Sequence, residues 1–300
     1  MGRMSVTADP IVRPLARVIP SVEVLEGGGF QVRRPVPTRN VEQVDPFLLI
    51  DELGPTIVAP GEAVGAPDHP HKGFEIISYT LAGEGEHRDS FGNHGVLCAG
   101  DAQWMVAGSG VVHSEEPTDA FRRSGGPRHG FQIWFNLKSR DKNIAPRYRD
   151  VPAASIPVAH PSPGVTARVL AGAFFGVEGP VHTVTPASYV HVTLAPGSAV
   201  TQPVPRGWTA TIYVFSGVGS IGTRQVRLGD YAVFGEDGDA IAIANAGSEP
   251  VEALLLCAEP TREPVARYGP FVMNTAEEIQ NAFADFRAGR FGTIAPVSES

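Results

Sequence analysis

The chain has 300 residues, of which 42% are hydrophobic, and this is enough apolar material for two hydrophobic cores of ordinary size. Its formal net charge of -8 and the lack of a Lys/Arg stripe argue against direct binding of nucleic acid, because the phosphates would be repelled. The 2 cysteines exclude a disulfide framework, and neither an export signal nor an apolar run of about eighteen residues is evident. We therefore expect a cytoplasmic protein of two domains with no membrane partner.

Short segments rich in Val, Ile, Phe and Tyr alternate with clusters of Gly, Pro, Asn and Asp, which is typical of β-strands joined by turns. The clearest predicted strands are, in chain order, 74–81, 102–107, 130–137, 189–194, 209–215, 231–234, 240–244 and 251–258. Helical periodicity is scarce until the end of the chain. There Thr275 and Glu278 stand at the spacing of a capping box, and Ile279, Phe283 and Phe286 follow on one helical face before Gly289. The pattern predicts an all-β protein with a C-terminal helix.

An internal repeat fixes the expected architecture. Segment 69–85 aligns without gaps on segment 203–219, with a basic-Gly-aromatic triplet, a tyrosine and a Gly-x-Gly turn at matching positions. A Gly-Asp turn followed by an apolar strand then occurs in both halves, at 100–101 and at 229–230. Two similar halves predict two tandem β-sandwich barrels, residues 1–140 and residues 141–300, with the boundary in the polar, Pro-containing segment 138–152.

Two pairs of ligand-type residues stand in the first half. His69 and His71 are two apart, so on a β-strand both imidazoles project to one face, and His113 and Glu115 repeat this spacing. If the two strands are neighbours in the barrel, three imidazoles and one carboxylate converge. Such a mixed nitrogen and oxygen site suits Fe(II), and ligand type alone leaves Mn, Ni, Co and Cu open.

The second half has the same pattern of strands and turns but lacks the ligand-type residues. Pro203 and Pro205 stand where the first half has its paired histidines, and continuing the count from the Gly-Asp turn gives Ala242 and Ala244 at the other two positions. Ordinary packing should make similar demands on both barrels. The contrast therefore favours a metal site in the first barrel over a set of core or surface histidines.

Several further residues are candidates for a role near the metal. Glu75 is open to three interpretations, as a ligand, as an acceptor for an imidazole N–H, or as a base. The histidines outside the two pairs stand in turn-rich or strand-edge sequence, and each is interpreted as structural or solvent-exposed; they are His87, His94 and His129. The apolar residues expected to form walls around a planar ligand are Phe74, Trp104, Met105 and Phe131.

These motifs resemble the pirin family over about residues 40 to 290. The matching stretches are 45–55 (DPFLLIDELGP), 69–79 (HPHKGFEIISY), 100–115 (GDAQWMVAGSGVVHSE) and 262–275 (REPVARYGPFVMNT). The resemblance implies a bicupin, two cupin barrels in tandem, with iron in the N-terminal barrel held by His69, His71, His113 and Glu115. His113 sits two residues later than the common cupin motif predicts, and this agrees with the pirin version.

The resemblance also implies an activity. Bacterial pirins are quercetinase-like, and use dioxygen to open the central ring of a flavonol with loss of carbon monoxide. We therefore expect a phenolic substrate and O2, with Glu115 as the base that takes the proton of the substrate hydroxyl and Glu75 as the second candidate. The alternative function is metal-dependent, redox-responsive binding to a regulatory protein such as a transcription factor.

Overall fold

The computed structural model describes residues 10–296, and most of them lie in β-strands. The elements of the first half are β1 (Leu15–Pro20), β2 (Val22–Glu26), β3 (Phe30–Val36), β4 (Phe47–Val58), β5 (Ala66–His71), β6 (Phe74–Ala82), β7 (Gly85–Asp89), β8 (His94–Leu97), β9 (Ala102–Val106), β10 (Val111–Glu116), α1 (Asp119–Ser124) and β11 (Gly126–Asn136). A 3-10 turn at Ser139–Asp141 follows.

The second half begins with β12 (Arg147–Val151) and a 3-10 turn at Ala153–Ser155. The remaining elements are β13 (Val158–Ala159), β14 (Val165–Ala171), β15 (Ala173–Phe174), β16 (Val177–Glu178), β17 (Ala187–Leu194), β18 (Ala199–Pro203), β19 (Thr209–Ser216), β20 (Val218–Ile221), β21 (Arg224–Arg227), β22 (Asp230–Phe234), β23 (Ala240–Ala244), β24 (Val251–Ala258), β25 (Ala266–Tyr268), β26 (Phe271–Met273) and α2 (Ala276–Arg287). All the strands predicted above are present, and two of them, β23 and β24, have the predicted bounds.

Each half forms a barrel of two facing sheets, which confirms the all-β, two-barrel prediction. In the first barrel the large sheet has the strand order β12-β9-β6-β11-β4-β3-β2, and the small sheet has the order β5-β10-β7-β8. In the second barrel the large sheet has the order β1-β22-β19-β24-β17-β14-β13, and the small sheet has the order β18-β23-β20-β21. The two orders correspond strand for strand, as the internal repeat requires.

The two barrels exchange edge strands. β12, from the second half, pairs with β9 so that Arg147 lies opposite Val106, and β1, from the first half, pairs with β22 so that Leu15 lies opposite Phe234. The division between residues 140 and 141 stays a prediction for the units that fold independently. The pairing adds that each large sheet takes its last strand from the other half of the chain.

The large sheets pack against each other face to face, and alternation along β6 shows how they divide their side chains. Ile77 and Tyr79 belong to the apolar core between the barrels, whereas Phe74 and Ile76 point into the first barrel. The interior of the second barrel is filled by aliphatic residues such as Val190, Ile212 and Leu255, while the interior of the first barrel leaves an open cavity.

The C-terminal helix forms as predicted and packs against the first barrel. Thr275 caps α2 in a full capping box with Glu278. Ile279 then packs with Phe271 and Val112, so the helix is anchored on the strand that carries His113. None of the described helices is long and apolar enough to cross a membrane.

Strand pairing corrects the register assumed for the repeat. His113 lies opposite His69, and in the second barrel Ala240, rather than Ala242, lies opposite Pro203. The gap-free count failed because eight residues separate Trp104 on β9 from His113, whereas six separate the matching Val233 on β22 from Ala240. The positions that match the ligand pair are therefore Ala240 and Ala242, and the second barrel still offers no metal ligand at either of them.

Candidate metal centre

Three histidines converge inside the first barrel. The β5 strand directs His69 and His71 to one face, and the antiparallel β10 strand places His113 directly opposite His69. Ring nitrogens of the three residues all lie within 4.8 Å of one another, and this is the group of potential metal ligands found among residues 10–296. The predicted convergence of the two strands is confirmed for these three side chains.

Backbone carbonyls fix the tautomers of the first two histidines. The Nδ1 of His69 lies 2.7 Å from the carbonyl oxygen of Pro67, and the Nδ1 of His71 lies 3.5 Å from that of Pro270. Because a carbonyl oxygen only accepts, each Nδ1 carries the proton and each Nε2 offers a lone pair. The two Nε2 atoms are 3.1 Å apart, so two lone pairs face each other across a short gap.

His113 completes the pattern. Its Nε2 is buried and has no hydrogen-bond partner, and such an orphaned polar atom is costly unless something satisfies it. Burial lowers the pKa of His71 and of His113 well below the ordinary histidine value, and neighbouring histidines lower it further. Neutral imidazoles with converging lone pairs are the state in which histidine binds a divalent metal, so the three residues fit one ion.

Glu115 stands beside the histidines but is held by other groups. It follows His113 by two residues on β10 and lines the same cavity. Its carboxylate accepts hydrogen bonds from Gln132 Nε2 at 2.8 Å and from Ser78 Oγ at 3.3 Å. It is not a member of the group of three converging side chains, so its role as the fourth ligand stays a prediction.

Glu75 does not face the metal site, which corrects its assignment as a ligand neighbour or base. Its carboxylate accepts hydrogen bonds from Trp104 Nε1 at 2.9 Å, Val184 N at 2.9 Å and Thr185 N at 2.8 Å, all of them in the interface between the barrels. The neighbouring Phe74 is the residue that contacts His71, with ring centroids 5.1 Å apart. Successive strand residues point to opposite faces, so Glu75 turns away.

The cavity that opens onto the histidines has a volume of about 600 Å³, within the usual range for small-molecule sites. Its apolar wall includes Leu49 and Trp134, and Phe131 also borders it although its ring packs against Phe215 in the core between the barrels. Of the four predicted wall residues only Phe131 lines it: Phe74 packs behind His71, Met105 belongs to the inner core, and Trp104 points to Glu75 between the barrels.

Charged residues also line this cavity. Arg34 forms a bidentate ion pair with Asp51, at 2.6 and 2.5 Å, and burial raises the pKa of Asp51 to about 6 although the guanidinium opposes this. The guanidinium of Arg267 lies 5.2 Å from the centre of the Trp134 ring, a cation–π contact that holds this aromatic wall in place.

His87 is the site residue that sequence reasoning missed. It was interpreted as structural or exposed, yet it is 1% exposed, lines the cavity and has its Nδ1 3.5 Å from the Nδ1 of His113. Of the other two histidines so interpreted, His94 is exposed, and His129 also lines the cavity but bonds Glu52 at 2.9 Å. The signal for His87 is its position opposite Glu115 across the β7–β10 pairing, which only the register reveals.

Comparison with known proteins agrees with this geometry. The pirin family model matches residues 29–135, and the model of the pirin C-terminal cupin domain matches residues 189–292. Human pirin is 41% identical over 277 residues, which cover 91% of this chain and 91% of that protein. These matches confirm the cupin fold of both barrels.

Solved structures extend the similarity. The crystal structure of quercetin 2,3-dioxygenase from Acinetobacter baumannii is 32% identical, covers 95% of this chain and 100% of that chain, and has a TM-score of 0.89. A bacterial pirin from Escherichia coli, solved in complex with nickel(II), is 22% identical over 81% of this chain and 99% of that chain, with a TM-score of 0.63, and shares the fold. On the family matches and the identity to human pirin, this chain belongs to the pirin family.

Proposed function

We propose that this protein is a metal-dependent dioxygenase that cleaves a flavonol in the manner of quercetin 2,3-dioxygenase. The observation that carries the proposal is the opening of three converging histidines onto an aromatic-lined cavity of about 600 Å³. The similarity to the quercetin 2,3-dioxygenase of Acinetobacter baumannii supports it, because that protein matches over 95% of this chain. In this reaction O2 adds to the flavonol, the central ring opens, and one ring carbon leaves as carbon monoxide.

The proposed metal is Fe(II), held by His69, His71, His113 and Glu115. Three neutral nitrogens and one carboxylate suit iron and also bind Mn, Ni, Co or Cu, so metal analysis of the purified protein is the direct check. When bound, the metal supplies Lewis-acid activation of the substrate hydroxyl and a template for the two reactants.

Residues around the metal site would take the substrate proton, orient the base and bind the flavonol. Glu115 is the proposed base for the flavonol hydroxyl, because its carboxylate lines the cavity next to His113. Gln132 and Ser78 donate hydrogen bonds to that carboxylate and so hold its orientation. Trp134 offers flat apolar surface beside His71 on which a planar flavonol can lie, and with Leu49 it excludes water from the reacting face.

The test is to load metal-free protein with Fe(II) under nitrogen, admit air, and follow quercetin absorbance together with O2 consumption. We expect equimolar loss of the two reactants and release of carbon monoxide, and no reaction in His113→Ala. A wild-type protein that carries iron and consumes quercetin no faster than His113→Ala would refute the proposal. Repeating the assay with Mn, Ni, Co and Cu ranks the metals.

The alternative prediction, metal-dependent binding to a regulatory protein, is a second candidate that the family allows. Pull-down from native extract with the Fe(II) form, the Fe(III) form and the metal-free protein tests it. Identical partner lists from all three would count against a metal-dependent interaction.

A further inference from the structure

His87 is a buried histidine next to His113, and a polar side chain faces each of its ring nitrogens. Its ring is 1% exposed and stacks on Tyr148, with centroids 4.3 Å apart and planes at 19°. Gln103, itself 3% exposed, places its Nε2 2.8 Å from the Nδ1 of His87. Asp89, 4% exposed, places its Oδ2 3.6 Å from the Nε2 of His87. The Nδ1 of His87 is therefore hydrogen-bonded, whereas its Nε2 has no hydrogen-bond partner and faces the Asp89 carboxylate at a longer distance.

These neighbours determine the tautomer of His87. An amide nitrogen only donates, so the Nδ1 of His87 accepts from Gln103 and carries no proton. The proton then sits on Nε2, where the carboxylate of Asp89 favours it. Asp89 is itself held by Asn93, whose backbone N and side-chain Nδ2 donate to it at 3.0 and 2.8 Å.

The tautomer of His113 follows from that of His87. The two Nδ1 atoms lie 3.5 Å apart, and because the Nδ1 of His87 carries a lone pair and no proton, the Nδ1 of His113 is the donor in this longer contact and shares that lone pair with Gln103 Nε2. The Nε2 of His113 is then unprotonated, and it is the buried nitrogen that has no partner within the chain. If the Nδ1 of His87 carried a proton, it would face the N–H on the Nδ1 of His113. His113 would then favour the tautomer with its proton on Nε2, which cannot bind a metal through that atom.

We propose that His87 is a positioning residue, which accepts the Nδ1 proton of His113 and thereby directs the Nε2 lone pair of His113 at the metal. His69 and His71 obtain the same orientation from the carbonyls of Pro67 and Pro270, so the third histidine obtains from a side chain what the other two obtain from backbone. Partners of this kind fix ring orientation and raise ligand basicity. The inference rests on the metal site of the proposed function.

The test measures metal affinity in three variants. His87→Phe keeps a ring against Tyr148 and removes the acceptor, and we expect Ni(II) to bind about 10–100-fold more weakly in competition with a chromophoric chelator. His87→Asn restores an acceptor oxygen near the position of Nδ1, and we expect an affinity close to that of wild type. Gln103→Met removes only the donor that fixes the tautomer, and we expect an intermediate affinity.

Two controls separate positioning from folding. The thermal midpoint Tm of each metal-free variant reports folding, and His94→Phe, on the neighbouring strand and exposed, should leave the affinity unchanged. The absorption bands of bound Co(II) should shift in His87→Phe and return in His87→Asn, which a purely structural role would not produce.

Unchanged Ni(II) affinity in His87→Phe, or equal losses in His87→Phe and His87→Asn, would overturn the inference. If His87→Phe does not fold, Gln103→Met decides, and wild-type affinity in that variant overturns it equally. Metal affinity is measured without flavonol turnover, so this inference and the proposed function can fail separately. If the protein binds Ni(II) tightly and substitution of His87 does not change that affinity, only the positioning role of His87 is refuted.

Discussion

The Nε2 atoms of His69 and His71 lie 3.1 Å apart, although both carry lone pairs because both Nδ1 atoms donate to carbonyls. Two acceptors at this separation repel each other unless a cation lies between or beside them. The fold nevertheless holds both rings in this arrangement, with His71 only 3% exposed. The energetic cost of the apo site is therefore part of the affinity for a metal, since binding removes the repulsion.

Metal should stabilise the folded chain through this site. At a free metal concentration of one hundred times the dissociation constant, we expect about 2.7 kcal/mol of added stability. The measurement is the Tm with Ni(II) against the Tm with EDTA. In His113→Ala the metal-dependent shift should vanish, whereas His94→Ala, exposed and outside the cluster, should retain it. A full shift in His113→Ala would exclude this residue as a ligand.

Substitution of Glu115 and substitution of Glu75 should have clearly different effects on kcat. Glu115→Gln removes the proposed base and should reduce kcat by about 10²–10⁴-fold, the usual range for general-base catalysis. Glu75→Gln alters a carboxylate that faces the barrel interface, so we expect near-normal kcat in the folded, metal-loaded fraction. Steady-state turnover of quercetin, corrected for bound metal, is the measurement. Similar losses in both variants would contradict the separation of their roles.

The residues around the metal site show which features could be predicted from the sequence and which could not. The paired histidines were predictable, because residues two apart on a strand share a face. The parity does not continue from His71 to Glu75, because Gly73, with φ +90, interrupts the strand and Phe74 takes the inner face. The contact between His87 and His113 also lay beyond sequence reasoning, since it depends on the register of β7 against β10.

The two-barrel architecture was more predictable from the sequence than the exchange of edge strands and the register between the two halves. The internal repeat required two similar barrels, and the capping box located α2 at Thr275. The exchange of β1 and β12 carries no local signal, because an edge strand has the same pattern whichever sheet it joins. The two-residue difference before His113 likewise became visible only when Ala240 was found opposite Pro203.

Gly73 should tolerate no side chain. A Cβ there would lie 2.0 Å from the carbonyl oxygen of Val272, in addition to the strain of a positive φ. Gly92 is a matched control, since its φ is +83 and no atom lies within 4 Å of its Cβ position. We expect Gly92→Ala to cost about 1 kcal/mol of unfolding free energy and Gly73→Ala to cost clearly more. Chemical denaturation measures both, and equal losses would show that the close approach is relieved.

Glu75 should make stability depend on pH. Burial raises the pKa of Glu75 to about 7, although the backbone N–H groups of Thr185 and Val184 and the indole of Trp104 oppose this. The native state therefore binds the proton more tightly than the unfolded state, in which the ordinary value is 4.5. Its contribution to stability is complete below pH 4.5 and is lost as the pH rises to about 7.

We expect this loss to reach about 3 kcal/mol at most, at 1.36 kcal/mol per pKa unit. Glu75→Gln cannot ionise, so the difference in unfolding free energy between wild type and Glu75→Gln should narrow or reverse in favour of the variant from pH 5 to pH 8. Other groups that titrate in this pH range, such as Asp51, contribute equally to both proteins, so their contributions cancel in the difference between the two unfolding free energies. Urea denaturation of metal-free protein gives the values, and parallel curves would contradict a raised pKa.

The exchanged strands predict that neither half folds alone at the boundary between residues 140 and 141. A fragment of residues 1–140 lacks β12, so β9 would have an open edge, and the large sheet would expose the apolar face that carries Ile77 and Phe131. We expect this fragment to aggregate when it is expressed alone. Co-expression with residues 141–300 should recover a soluble complex, because β12 and β1 can then pair across the two chains.

A fragment of residues 1–152, which includes β12, is the matched comparison. It repairs the edge of the sheet but leaves the inter-barrel face uncovered and lacks Pro270, whose carbonyl orients His71. We therefore expect better solubility than for residues 1–140, with weaker Ni(II) binding than in the full chain. Size-exclusion chromatography and chelator competition measure the two properties. A monomeric 1–140 fragment with full metal affinity would show that the first barrel folds and binds metal without the second half.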